Sequence, residues 1–352
     1  MSRPSVKSVA PVTVQIVAIP ETAGSALYGM VDVLSAAGAI WQTLVTGEPP
    51  HAHFQVQVIS PSTQPFQCGY GIPVTPAFDI DSAPPADVVI VPEIWLGPEE
   101  SISGRYPELM RWLQQLYRRG TAIFSACSGS VLLAESGLLN HCEATSHWGY
   151  SDLFRHRYPQ VRFRPEATLV FADGEGRLVT AGGTTSWHDL ALHIISRYAG
   201  PGVALEVAKV YLLKTHEEGQ LPYTPLIRHI PHNDALVRRC QQWLAEHHTD
   251  SDALGKLVTQ QDVPERTLKR RFKAATGMSL LEYIQHSRIE EAKRLLETTT
   301  LAAEEIGARI SYEDGSFFRR LFKRLTGLTP GQYRRMFAGT REDKGLSLSA
   351  HK

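Results

Sequence analysis

Residues 121–139, TAIFSACSGSVLLAESGLL, decide how the first half of this chain folds. The stretch opens on β-branched and aromatic residues, passes through a run of small ones, and continues as a helix former. Ser125, Ala126, Cys127, Ser128 and Gly129 set small residues on both sides of a central cysteine. That pattern suits a strand-to-helix turn so tight that its middle residue is strained and projects its side chain outward. The amides and positive end of the following helix are expected to lower a thiol pKa there and to favour an anion nearby. A buried, purely structural cysteine fits the same residues equally well.

Working outward, VTVQIVAI (12–19), HFQVQVIS (53–60) and DVVIVPEI (87–94) read as further short strands. Helix-forming runs at 25–41, 106–120 and 129–139 separate them, which predicts a parallel sheet covered on both faces. Residues 167–182 add two strands about a DGEG turn. A helix over 185–200 then closes at Gly200, with Pro201 barring its continuation, so the first domain is expected to span 12–200. Residues 201–231 read as a connector: one helical run, VALEVAKVYLL, then a loop with three prolines. From 232 to 338 the strand signal vanishes and helical periodicity takes over. Residues 339–352 have little to pack and read as a mobile tail.

A chain of 352 residues is long enough for two domains. No apolar run reaches the length of a membrane-spanning helix, and the N-terminus reads as a loose tail before a strand, not as a signal peptide. Four cysteines without a CxxC pair fit a reducing cytoplasm. No metal or cofactor motif stands out. The balance of 36 Lys+Arg against 36 Asp+Glu hides an asymmetry, since 21 of the basic but only 16 of the acidic residues lie from Asp234 onward. A basic final third on a neutral chain points to an anionic partner for that part.

That third contains a repeat. RRFKAATG (270–277) and RLFKRLTG (320–327) agree at five of eight positions, at an offset of 50 residues. The agreement extends to Leu268/Phe318, Ser279/Thr329 and Tyr283/Tyr333, which marks one supersecondary unit used twice. Each copy reads as a short helix, a turn and a second helix ending at the repeated glycine. Leu268 with Phe272, and Phe318 with Phe322, recur at helical spacing and bury one face. Arg266, Lys269, Arg270 and Lys273 sit off that face in the first copy, and Arg319, Arg320, Lys323 and Arg324 in the second. Basic helices of this kind suit the DNA major groove. A helix-interaction module with a solvated basic face is the plainer alternative. Residues 278–297 form a strong helix of about 30 Å at about 1.5 Å per residue. That length approaches the roughly 34 Å between successive major-groove faces on one side of B-DNA.

Residues 232–338 resemble the AraC/XylS family of transcriptional regulators, with SYEDGSFFRRLFKRLTGLTPGQYR (311–334) close to its signature. The resemblance implies base-facing roles for Arg266, Lys269 and Arg270 in the first unit, and for Ser316, Arg319 and Arg320 in the second, with Lys273 and Lys323 alongside. Glu313 and Asp314 depart from a basic surface, and Asp314 is expected to cap its helix.

Residues 12–200 resemble the ThiJ/PfpI branch of the class I glutamine amidotransferase-like superfamily, through the elbow cysteine, AESGLLNHCEATSHW after it and SALYGMVDVLSAAG after the first strand. This implies a flavodoxin-like α/β sandwich. His147 stands where that superfamily often places a histidine; otherwise it is a loop residue stacked on Trp148. Alignment puts Ala26 at the branch's usual acid position, and the loop VPEIWLG (91–97) lacks the glycine pair that commonly donates oxyanion-stabilising amides. No catalytic residue is therefore assigned. Cys127, Ser128, His147, Trp148 and Glu93 become candidates for lining a small-molecule pocket beyond the strand ends.

The two resemblances together match the arrangement of GlxA-type regulators. They imply a cytoplasmic regulator, dimeric through its first domain and connector, that binds promoter DNA and an effector, with no cofactor, metal or membrane partner. A cysteine-dependent hydrolase or lyase fused to a DNA-binding module stays open as the alternative. So do redox sensing at Cys127 and an α/β domain that only dimerises.

Overall fold

A computed structural model describes residues 10–97, 100–228 and 232–338. Eleven strands and thirteen α-helices are assigned among them. The strands are β1 (Val12–Val17), β2 (Phe54–Ser60), β3 (Phe66–Cys68), β4 (Ile72–Val74), β5 (Phe78–Asp79), β6 (Val88–Val91), β7 (Ala122–Ala126), β8 (Glu143–Ala144), β9 (Arg162–Phe163), β10 (Leu169–Phe171) and β11 (Leu178–Ala181). The chain divides into two compact units, residues 1–220 and 221–352.

In the first unit a seven-stranded sheet runs in the order β10-β11-β7-β6-β1-β2-β5. Every pairing is parallel except β10 with β11, the hairpin formed about the DGEG turn. Successive strand residues point to opposite faces and enter different cores. Val88 and Ile90 join one apolar cluster and Val89 and Val91 the other. The first cluster is closed by α1 (Gly24–Ser35), α5 (Trp187–Ala199) and α6 (Pro201–Tyr211). The second is closed by α2 (Pro107–Arg118), α3 (Gly129–Glu135) and α4 (Ser151–Arg157). Both faces are therefore covered, as a flavodoxin-like sandwich requires. The β3–β4 hairpin and the short β8–β9 pair lie outside this sheet.

The first unit does not stop at residue 200. Gly200 breaks α5 at φ +96°, and Pro201 then occupies the first turn of α6 instead of ending helical structure. Ala204 and Val207 of α6 bury into the first cluster. Beyond α6, Asp189 accepts the His216 backbone N–H at 2.8 Å and contacts its Nδ1 at 2.7 Å. Gln220 is buried, donating to Thr145 Oγ1, the Ser146 carbonyl and the Ala167 carbonyl. Most of the segment read as connector is thus packed domain. Residues 229–231 and the tail read as mobile, 339–352, lie outside the described residues.

The second unit contains α7 (Ala235–His247), α8 (Ala253–Thr259), α9 (Glu265–Thr276), α10 (Leu280–Thr298), α11 (Ala303–Arg309), α12 (Gly315–Thr326) and α13 (Pro330–Phe337). The repeat is visible bond by bond. Gly277 and Gly327 end α9 and α12 in the left-handed region, at φ +74° and +77°, where glycine carries no Cβ penalty. Thr276 Oγ1 donates to Phe272 O at 2.8 Å, and Thr326 Oγ1 to Phe322 O at 2.9 Å. Ser279 and Thr329 then open the next helices with reciprocal capping boxes to Glu282 and Gln332. The long helix α10 has 19 residues, about 28 Å at the usual rise of about 1.5 Å per residue.

Candidate functional site

The elbow at Cys127 is built by close approach of two strand ends. Cys127 has φ +52°, and its N–H donates to the Ala181 carbonyl at 3.0 Å. A Cβ on Gly129 would lie 2.3 Å from Val91 O and 2.4 Å from Pro92 O, so the turn admits only glycine there. Ser128 faces the neighbouring loop. Its Oγ donates to the Ile94 carbonyl at 2.5 Å and accepts the Ile94 N–H at 3.0 Å. This pair holds the loop after β6 beside the turn and brings Glu93 beside the thiol.

Above Cys127 lies a cavity of about 480 Å³. Glu93, Cys127 and His147, all read as pocket candidates, line it, and so do Trp95, Tyr150 and Thr184, which sequence reasoning missed. Ser128 and Trp148 are not among its walls. Ser128 is fully buried and committed to Ile94, while Trp148 packs against His147 in a tilted arrangement with ring centroids 4.7 Å apart. His147 Nδ1 accepts the Gly149 N–H at 3.0 Å, which leaves Nε2 to carry the proton when the ring is neutral.

The electrostatics of the elbow reverse one expectation. Burial raises the Cys127 thiol pKa, the Glu93 charge raises it further, and together they push it to about 12; hydrogen bonds from Ser128 and Thr184 offset only part of this. Cys127 is 1% exposed, and desolvation of a thiolate there outweighs the start of a seven-residue helix. The exposed redox-sensing thiol considered from sequence is therefore not what the fold presents. Glu93 is also buried, which raises its carboxyl pKa, while hydrogen bonds with Cys127 and Thr184 lower it. Thr184 Oγ1 donates to Glu93 Oε1 at 3.3 Å and lies 4.0 Å from the sulfur. Ala26, aligned with the acid position, is a core residue of α1. A carboxyl does share the pocket with the thiol, but it comes from the loop after β6.

In the second unit, helices α9 and α12 bury Leu268, Phe272, Phe318 and Phe322 completely. All eight residues read as DNA-facing, Arg266, Lys269, Arg270, Lys273, Ser316, Arg319, Arg320 and Lys323, are exposed. Two of these are tied to carboxylates: Lys269 to Glu265 at 2.5 Å and Arg319 to Glu304 at 2.6 Å. Among the described residues Arg270 and Arg320, at matched repeat positions, are in no ion pair closer than 4.0 Å. Asp314 caps α12, accepting the N–H groups of Ser316 at 2.7 Å and Phe317 at 3.1 Å, as its position in the sequence suggested. In the first copy Pro264 holds that place without a side-chain cap.

Comparison with known proteins accords with both units. The DJ-1/PfpI family pattern matches residues 21–197, and a helix-turn-helix domain pattern matches residues 257–336. The HTH-type transcriptional regulator CdhR of Pseudomonas aeruginosa is 31% identical over 235 residues, covering 65% of this chain and 67% of CdhR. GlxA of Rhizobium meliloti, also an HTH-type transcriptional regulator, is 29% identical over 63% of this chain and 68% of its own length. GbdR of Pseudomonas aeruginosa, a third HTH-type regulator, is 24% identical over 74% of this chain and 69% of its own length. With a strained cysteine elbow on a doubly covered parallel sheet, followed by paired helix-turn-helix units, the chain belongs to the DJ-1/PfpI family and carries a C-terminal AraC-type helix-turn-helix domain.

Proposed function

We propose that the protein is a sequence-specific DNA-binding transcriptional regulator whose first unit takes a small-molecule effector in the cavity over Cys127. One observation carries the reading. Two copies of a single helical unit each bury an apolar stripe and turn an exposed arginine, Arg270 or Arg320, away from it, in no ion pair among the described residues. Arg266, Lys269 and Arg270 face bases in the first copy and Ser316, Arg319 and Arg320 in the second, while Lys273 and Lys323 add attraction to phosphates. The relatives named as HTH-type transcriptional regulators support the same conclusion.

Glu93, Cys127 and His147 supply the polar floor of the effector pocket, and Trp95 and Tyr150 its aromatic wall. The promoter-DNA partner, a cytoplasmic site of action and a homodimer belong to this reading. No helix among the described residues is long and apolar enough to cross a membrane. Exposed Leu44, Val45 and Leu205 offer a second copy apolar surface to cover.

A thiol-dependent hydrolase or lyase has one feature in its favour, the Glu93 carboxyl beside Cys127. Burial and the neighbouring Glu93 raise the thiol pKa and so disfavour the nucleophilic thiolate, which favours the regulator reading. The test is binding of the full-length protein to duplex fragments selected from a random library, in rising salt and with a panel of metabolites. Salt-sensitive, sequence-selective binding shifted by one metabolite is expected. Absence of any selected sequence, or turnover of a panel compound abolished by Cys127→Ala, would reverse the assignment.

A further inference from the structure

The two helix-turn-helix units do not share an apolar core. The apolar cluster of the first helix-turn-helix unit draws its last α10 residue from Ile284, and that of the second takes its first from Ile289. Between them on α10 the buried residue is a charged one, Arg288, only 9% exposed. Its guanidinium spans the gap. Nε donates to the His248 carbonyl at 2.7 Å and Nη2 to the Asp250 carbonyl at 2.6 Å, at the C-terminal end of α7. Nη1 reaches within 3.5 Å of the Ser311 carbonyl, and the group lies 5.3 Å over the Tyr312 ring. Ser311, held at φ +62°, sends its own hydroxyl back to the Thr249 carbonyl.

Each end of this junction leads directly to a DNA-facing helix. Helix α7 is fixed to α9 through the Asp234–Arg271 pair and the shared Leu236–Phe272 cluster. Tyr312 stacks on Phe318 of α12, ring centroids 6.1 Å apart, just ahead of the Asp314 cap. A planar fork can hold carbonyls from two segments at once, whereas an ammonium is a point charge.

We propose that Arg288 is the positioning residue that sets the spacing and phase of α9 relative to α12, so that both units engage one face of the duplex together. This rests on the DNA-binding reading above. Two joined binding modules gain avidity only when their geometry lets both engage at once.

The test uses the full-length protein and a duplex selected by the wild type from a random library. Affinity is measured by fluorescence anisotropy on that duplex, on a fragment holding one of its two boxes, and on versions with one base pair added or removed between the boxes. For Arg288→Met, two-box affinity should fall about tenfold or more as avidity is lost, while single-box affinity stays within about twofold. The penalty for altered spacing, steep in the wild type, should flatten. Ser311→Ala, which removes only the hydroxyl link, should flatten it in the same direction, and it decides the matter if Arg288→Met does not fold. An unchanged spacing penalty overturns the proposal, as does a wild type that selects a single box. A wild type that selects no DNA overturns the DNA-binding reading itself.

Discussion

Arg271 grips Asp234 with two hydrogen bonds, Nε to Oδ2 at 2.8 Å and Nη2 to Oδ1 at 2.7 Å, while the same carboxylate caps α7 through the N–H groups of Leu236 and Val237. One acid thus ties the start of α7 to the middle of α9. The Arg271 guanidinium, with the two amides, holds the Asp234 carboxyl down from its ordinary 3.8 to about 2. A depressed acid contributes stability that is present above its unfolded pKa and lost as pH falls through its folded one. Asp234→Ala should cost the second unit about 1–2 kcal/mol at pH 7, the usual value of a lost cap. The difference from wild type in denaturant melts should shrink steadily between pH 4 and pH 2. A constant difference across that range would mean that the ion pair is idle.

Arg270→Ala and Arg320→Ala should each weaken binding to the selected duplex by about 1–3 kcal/mol and relax preference at one position of one box, if the side chains read bases. A phosphate contact would instead lower the salt dependence by about one unit and leave sequence preference intact. Competition binding over a salt series separates these outcomes. Full retained affinity in both variants would remove α9 and α12 from the interface.

Glu304 holds Arg319 at 2.6 Å, and that contact competes with DNA for the same guanidinium. Exposed pairs contribute only about 0.2–1 kcal/mol. Glu304→Gln should therefore tighten DNA binding modestly, by up to about fivefold for a gain within that range. Weaker binding in this variant would show that Glu304 positions Arg319 instead of restraining it.

The cysteines should differ sharply in reactivity. Cys68, Cys127 and Cys240 are buried and Cys142 is partly exposed. Iodoacetamide at pH 7.5, mapped by mass spectrometry, should label Cys142 first and leave Cys127 protected by about tenfold or more, because the thiolate is the reacting species. With its pKa near 12, Cys127 should show no plateau in rate up to pH 10. Rapid labelling of Cys127 at neutral pH would restore the case for catalysis.

The elbow and the repeat were readable because their signals are local. Small residues around Cys127, and the matched Phe272/Phe322 and Gly277/Gly327, lie within single elements whose backbone demands them. Contacts that depend on distant segments were not readable. Glu93 and Cys127 lie on neighbouring strand ends 34 residues apart, and no periodicity announces their meeting. The rise of the thiol pKa is hidden from the sequence for the same reason, since burial of a side chain is set by the elements folded over it. Gly200-Pro201 misled differently. Glycine closes one helix and proline starts the next, so the pair marks a corner as readily as a boundary. Only the apolar contacts of Ala204 and Val207 tell which.

The left-handed backbone at Cys127 asks nothing of sulfur. Glycine would adopt φ +52° without steric penalty, and alanine or serine would incur the same strain that cysteine does. Turn and thiol are consequently separable properties of one position. A single substitution there exchanges the side chain on the pocket floor and leaves the turn beneath it standing.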